Sequence, residues 1–156
     1  MPSFRTTRRV RHAPEQMFDL VADVDRYPEF LPLCTGLRVL RRSEEEGRTV
    51  LVAEMSVGYK SISERFTTKV ILDRPNLDIH VSYVDGPFRY LENQWSFRPD
   101  PAGSQVDFQI KYEFRSMALG LLMGAMFDRA FRRFTEAFET RADRVYGTQP
   151  AAKPGA

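Results

Sequence analysis

The strictest pattern in the chain is the alternation of Val106, Phe108, Ile110, Tyr112 and Phe114 with Gln105, Asp107, Gln109, Lys111 and Glu113. A period of two places every apolar side chain on one face of a strand and every polar one on the other. Such sidedness calls for an antiparallel sheet with one face on a core and one in water. The same period runs through Leu37 and Val39, then Thr49, Leu51, Ala53, Met55 and Val57, then Ile62, Phe66, Val70 and Leu72 within 60–73. It returns in Leu77, Ile79, Val81 and Tyr83, and in Leu91, Trp95 and Phe97. Residues 44–47, 74–76, 85–87 and 99–103 separate these runs with Gly, Pro and acidic turn chemistry. A weaker alternation over 3–11 adds a first strand.

After Phe114 the spacing changes to three and four. Leu119, Leu122, Met123, Met126, Phe127, Ala130, Phe131, Phe134, Phe138 and Val145 form the stripe of one helix over 117–146, ended by Gly147. At 1.5 Å per residue that helix is about 45 Å long. Pro14 opens a short helix carrying Met17, Phe18 and Val21, and Pro28 and Pro32 limit a second helical turn near 25–30. Strands followed by a helix indicate an α+β fold. Seven strands at about 4.8 Å spacing make a sheet about 30 Å wide, whereas a helix is about 10 Å across. The sheet must therefore curl around the helix, with the short helices closing one end, and such a grip leaves an apolar hollow suited to a small ligand. Residues 1–147 are predicted to form this single domain, followed by a disordered Pro/Ala/Gly-rich tail over 148–156.

The 156 residues are 42% apolar and 28% charged, enough for a core and a solvated surface. Lysine and arginine exceed aspartate and glutamate by 23 − 21 = +2, so the chain is not a polycation and DNA binding is not expected. Arg5, Arg8, Arg9 and Arg11 cluster near the start; they offer a footprint for phosphate or anionic lipid, but charges that keep an edge strand from aggregating are the simpler reading. Cys34 stands alone, so no intrachain disulfide forms, as suits a reducing compartment. No secretory apolar segment is seen, and the longest apolar run, 117–127, is far below the ~20 residues of a membrane span. A soluble, cytoplasmic protein with at most peripheral contact at the inner membrane is expected.

Little of the chain reads as catalytic. His12 and His80 are isolated, with no partner at metal-ligand spacing. Cys34 reads as a packed thiol. Asp23, Asp25 and Glu29 surround Tyr27, where capping and solvation explain them better than acid–base work. No catalytic residue, metal site or resident cofactor is expected. The twelve Phe, six Met and six Tyr are more informative. Phe66, Tyr83, Trp95, Phe97, Phe108, Tyr112, Met123, Met126, Phe127 and Phe131 all fall on predicted inner surfaces. Solid packing and a flat apolar guest account for them equally well. Gly120 and Gly124, four apart on the helix, allow close backbone approach or room for that guest.

The segments VADVDRYPEFLP (21–32) and DGPFRYLENQWSF (85–97) resemble the coenzyme Q-binding START-domain family, within the polyketide cyclase/dehydrase-like superfamily of the helix-grip fold. The resemblance covers 3–146. It implies ubiquinone, or another apolar small molecule, as bound ligand, and a chaperone role in respiratory electron transport without catalysis. It places Leu31–Pro32 at the mouth of the cavity, so Tyr27, Phe30, Leu31 and Pro32 are expected there, with Gly124 and the inner aromatics and methionines lining the interior. Bacterial relatives with nearly the same segments are ribosome-association toxins, which implies a ribosomal subunit as the alternative partner. That role needs a cationic surface for RNA phosphates. Arg5, Arg9 and Arg11 share a strand face and would serve it, while the small net charge weighs against it.

Overall fold

A computed structural model describes residues 3–147. Strand β1 (Ser3–Val10) leads into helix α1 (Pro14–Ala22) and a 3-10 helix, Val24–Glu29. Six strands follow: β2 (Cys34–Glu45), β3 (Arg48–Tyr59), β4 (Ile62–Asp73), β5 (Asp78–Asp85), β6 (Phe88–Asp100) and β7 (Gly103–Phe114). Helices α2 (Met117–Arg132) and α3 (Phe134–Tyr146) complete the chain. The predicted tail lies outside the described residues.

The fold class is α+β, as the periods require: seven strands in the order β1-β7-β6-β5-β4-β3-β2, every adjacent pair antiparallel. β1, last to be reached along the sheet, closes against β7 by pairing Ser3 with Lys111 and Val10 with Ser104. Bulges at Cys34/Gly36, Val39/Arg41, Thr67/Thr68 and Phe88/Tyr90 add residues on one side of a pair. Each bends its strand and raises the local twist, which curls the sheet around the helices. Inward-facing Phe66, Phe88, Leu91, Trp95, Phe97, Phe108, Ile110 and Tyr112 build the core against Met123, Phe127, Phe131 and Phe138 of the helices.

Three details depart from the sequence-based expectation. The strand predicted from residue 60 starts at Ile62, because Lys60 adopts φ 55° in the tight turn after Tyr59. The single helix over 117–146 is two helices: the Arg133 N–H bonds to the Ala130 carbonyl at 3.0 Å, tightening the turn that ends α2, and α3 starts at Phe134. Neither Pro nor Gly lies between 125 and 146, so no local signal marks the break. It lets Phe138 reach Trp95 and α3 reach α1 as the helices follow the curved sheet. Leu122 and Val145, placed on the inward stripe, are exposed, since the stripe rotates out of register with the core at both ends. Phe127 and Phe131 are buried, Phe134 is half-buried, and Arg129, Arg132 and Arg133 face out.

Candidate ligand-binding cavity

Between the sheet and the helices lies a cavity of about 80 Å³. Alternate residues of four neighbouring strands supply its floor: Ala53, Met55 and Val57 of β3; Phe66, Thr68 and Val70 of β4; Ile79 and Val81 of β5; Leu91, Asn93 and Trp95 of β6. Ile110 of β7 extends it. Phe127, Ala130 and Phe131 of α2 and Phe134 and Phe138 of α3 form the roof. Val24, Tyr27, Leu31, Pro32, Leu33 and Leu37 make the wall at the 3-10 helix and the start of β2. The volume is small against the ~300–1,000 Å³ of ordinary ligand pockets, so a ring must displace lining side chains to enter.

Polar groups are few and placed. Asn93 is held rigidly: its Nδ2 donates to the Gln109 carbonyl at 2.9 Å, and its Oδ1 accepts from Trp95 Nε1 at 3.0 Å. Both Asn93 and Thr68 are buried in this apolar setting. Tyr27 donates its hydroxyl to the Val21 carbonyl at 2.5 Å and packs edge-on against Phe138. Burial pushes the Tyr27 phenol well above its ordinary pKa, so it remains a neutral donor. It is the one ionisable side chain in the lining. Cys34, just outside the wall, is raised by burial to about 11 and stays a thiol rather than a nucleophile.

Of the residues expected at the site, Tyr27, Leu31, Pro32, Phe66, Trp95 and Phe127 meet at the cavity. Phe30 instead faces an open cleft of about 360 Å³ shared with Pro32, Glu29, Glu136, Arg133, Arg141 and Arg144, and the Arg141 guanidinium lies over its ring at 5.0 Å. Tyr83 is half-buried, its hydroxyl accepting from the Phe88 N–H at 3.1 Å. Phe97 stacks on Trp95, Phe108 packs against Trp95 at 4.7 Å, and Tyr112 against Phe131 at 5.1 Å. Met123 is fully buried, and Met126 is partly buried against the core. A Cβ on Gly124 would meet nothing within 4 Å, so that glycine faces open space. Thr68 and Asn93 escaped the sequence reading although each is a polar residue inside an inward-facing run, Phe66-x-Thr68-x-Val70 and Leu91-x-Asn93-x-Trp95, and that interruption is the signal that marks them.

Asp23, Asp25 and Glu29 are exposed and absent from the lining. Hydrogen bonds from Arg26 and Arg141 hold the Glu29 carboxyl below its usual pKa range. His12 is buried against Asp143 at 2.7 Å, and His80 sits 3.4 Å from Glu92 on the outer face. Among the described residues no three His, Cys, Asp or Glu side chains group as metal ligands. No described helix is long and apolar enough to cross a membrane.

The chain is 42% identical over 139 residues to a protein of Vibrio cholerae named ribosome association toxin RatA, spanning 88% of this chain and 93% of that one. It is 35% identical over 140 residues to the mitochondrial coenzyme Q-binding protein COQ10 homolog B of Xenopus laevis, spanning 86% of this chain and 55% of that one. The solution structure of an 18 kDa protein from Caulobacter crescentus superposes with a TM-score of 0.77 at 35% identity, covering 95% of this chain and 100% of that one. A Streptomyces aromatase/cyclase shares the fold, with a TM-score of 0.72 at 18% identity over 92% of this chain and 94% of that one. Residues 10–139 match the family described as polyketide cyclase/dehydrase and lipid transport, and the chain belongs to this family.

Proposed function

We propose that this protein binds ubiquinone, or an apolar lipid of similar shape, in the cavity between sheet and helices. It carries that ligand without chemical change, as a quinone chaperone for respiratory electron transport, in the cytoplasm with transient contact at the inner membrane. The observation that carries the reading is an apolar lining between sheet and helices whose polar members, Thr68, Asn93 and Tyr27, are neutral. Such a lining rewards burial of a ring and isoprene units at about 25 cal/mol per Å². It offers no charged acid–base pair for turnover. The ring enters by displacing adaptable side chains such as Met55, and the tail leaves past Leu31, Pro32 and Leu33. The test is titration with a short-chain ubiquinone while following Trp95, the sole tryptophan, which lines the cavity. Saturable quenching is expected, and Ala130→Leu, which fills the roof, should abolish it while the protein stays folded.

A ribosome-binding role is the second reading, supported by the 42% identity to the Vibrio cholerae protein. The arginines of β1 serve it only in part, since Arg8 pairs with Glu139 at 2.5 Å and Arg9 with Asp100 at 3.1 Å. Absence of quenching together with salt-sensitive binding to ribosomal subunits would establish this reading over the first.

A further inference from the structure

The eleven residues 117–127 contain no charge, and only part of their apolar surface is used in the core. Met117 is 84% exposed, Leu121 83% and Leu122 62%. Residues 117, 121 and 125 follow one another at four-residue steps, so Met117, Leu121 and Ala125 form an outward stripe, with Ala118 and Leu122 beside it. A helix on a globular surface normally turns charge outward here.

The strand register shows what surrounds this helix. Thr67 pairs with Asp85, Tyr59 with Ile62, and Phe88 with Phe114, so the β3–β4 turn, the β5–β6 turn and the start of α2 share one end of the sheet. The Arg115 N–H donates to the Pro87 carbonyl at 2.8 Å, tying the β5–β6 turn to the helix. Tyr59, 44% exposed, and Val84, 54% exposed, belong to the strand ends that point the same way, so five of the eight large exposed apolar residues among the described residues lie on elements of this end. Lys60, Arg65, Arg89 and Arg115 are exposed on the turns and strand ends of this end, and none forms an ion pair among the described residues, although Arg115 donates to the Gly86 carbonyl at 3.2 Å. Asp85 is the exposed acid of that end; half-buried Glu64 stands between Lys60 and Arg65, and half-buried Glu113 two residues before Arg115. The cavity wall is adjacent: the Leu33 carbonyl accepts from the Gly58 N–H at 3.0 Å, one residue from cavity-lining Val57.

We propose that this end of the sheet, with the first two turns of α2, docks on an anionic lipid bilayer. Met117, Leu121 and Leu122 enter the interface, the four cations meet lipid phosphates, and the wall at Leu33 and Val57 is held against the membrane. Exposed apolar residues and cations free of ion pairs at one end of a fold are the chemistry of an interfacial anchor. A second copy fits less well, because a two-fold contact would set the cations of each copy against their own image. RNA would use the cations and leave Met117 and Leu121 without a partner. The inference deepens the carrier reading and takes from it the purpose of the docking.

Co-sedimentation with phosphatidylcholine vesicles, with and without phosphatidylglycerol, tests it. The full chain should bind the anionic vesicles and release them in high salt. Leu121→Asp, at a site too exposed to disturb the fold, should weaken binding about tenfold or more. Lys60→Gln/Arg65→Gln/Arg89→Gln should erase the preference for phosphatidylglycerol. Leu121→Asp should retain quinone quenching of Trp95 in vesicle-free solution. A wild-type protein that quenches but leaves both vesicles bare overturns the docking surface alone. Vesicle binding without quenching overturns the carrier reading alone. Equal binding by wild type and Leu121→Asp, a dimer that Leu121→Asp dissolves, or ribosomal binding lost only in the triple variant would each overturn the docking surface.

Discussion

Asn93 shows how one side chain can serve both packing and recognition. A buried amide is tolerated only when its groups are paired, and Asn93 pairs with Trp95 Nε1 and the Gln109 carbonyl. Asn93→Leu keeps the branched outline of the side chain but strands both partners. The expected loss is about 2 kcal/mol in urea melts, since a buried unpaired polar group costs about 1–3 kcal/mol and the added apolar burial offsets part of it. The indole would also be free to reorient, so Trp95 emission should shift. A loss below about 0.5 kcal/mol would mean that the two stranded groups find other partners.

At the scale of elements, α2 is the informative one. Its start is set by Ser116, whose hydroxyl oxygen accepts from the Leu119 N–H at 3.2 Å, satisfying one of the free amides of the first turn. The outward face of that turn is apolar and unsupported, so the cap carries much of its order. Ser116→Ala should lower stability by about 1 kcal/mol and raise amide exchange over the first turn before it affects α3. Gly86 fixes the neighbouring turn: at φ 141°, an added Cβ would lie 2.6 Å from the Cβ of Phe66, so the β5–β6 connection has no room for another residue type.

For the molecule as a whole, closure of the wall depends on contacts between segments far apart in sequence. Glu29 of the 3-10 helix accepts from Arg141 of α3 at 2.5 Å and from Arg26 at 3.0 Å. Its carboxyl is held below the ordinary range by these bonds. A carboxyl lowered in the folded state stabilises the fold above its unfolded pKa, and that contribution fades as pH falls through the folded value. Wild type should therefore melt higher than Glu29→Gln at neutral pH, with the gap closing in acid; a gap unchanged across that range would show that the charge of Glu29 plays no part. Much of this architecture follows from sequence periodicity. Alternation is local, and it dictated an antiparallel sheet, a helical cover and a sheet that must curl because one helix is too narrow for seven strands. The break at Arg133 has no local cause and follows from helices tracking a curved surface. Inward-facing aromatics look alike in sequence, yet Trp95 and Phe127 line the cavity while Phe97 and Phe108 pack solidly, because a void is set by how distant elements fit. The gathering of α2 with two distant turns at one end was likewise decided by strand register, a long-range pairing that no local pattern encodes.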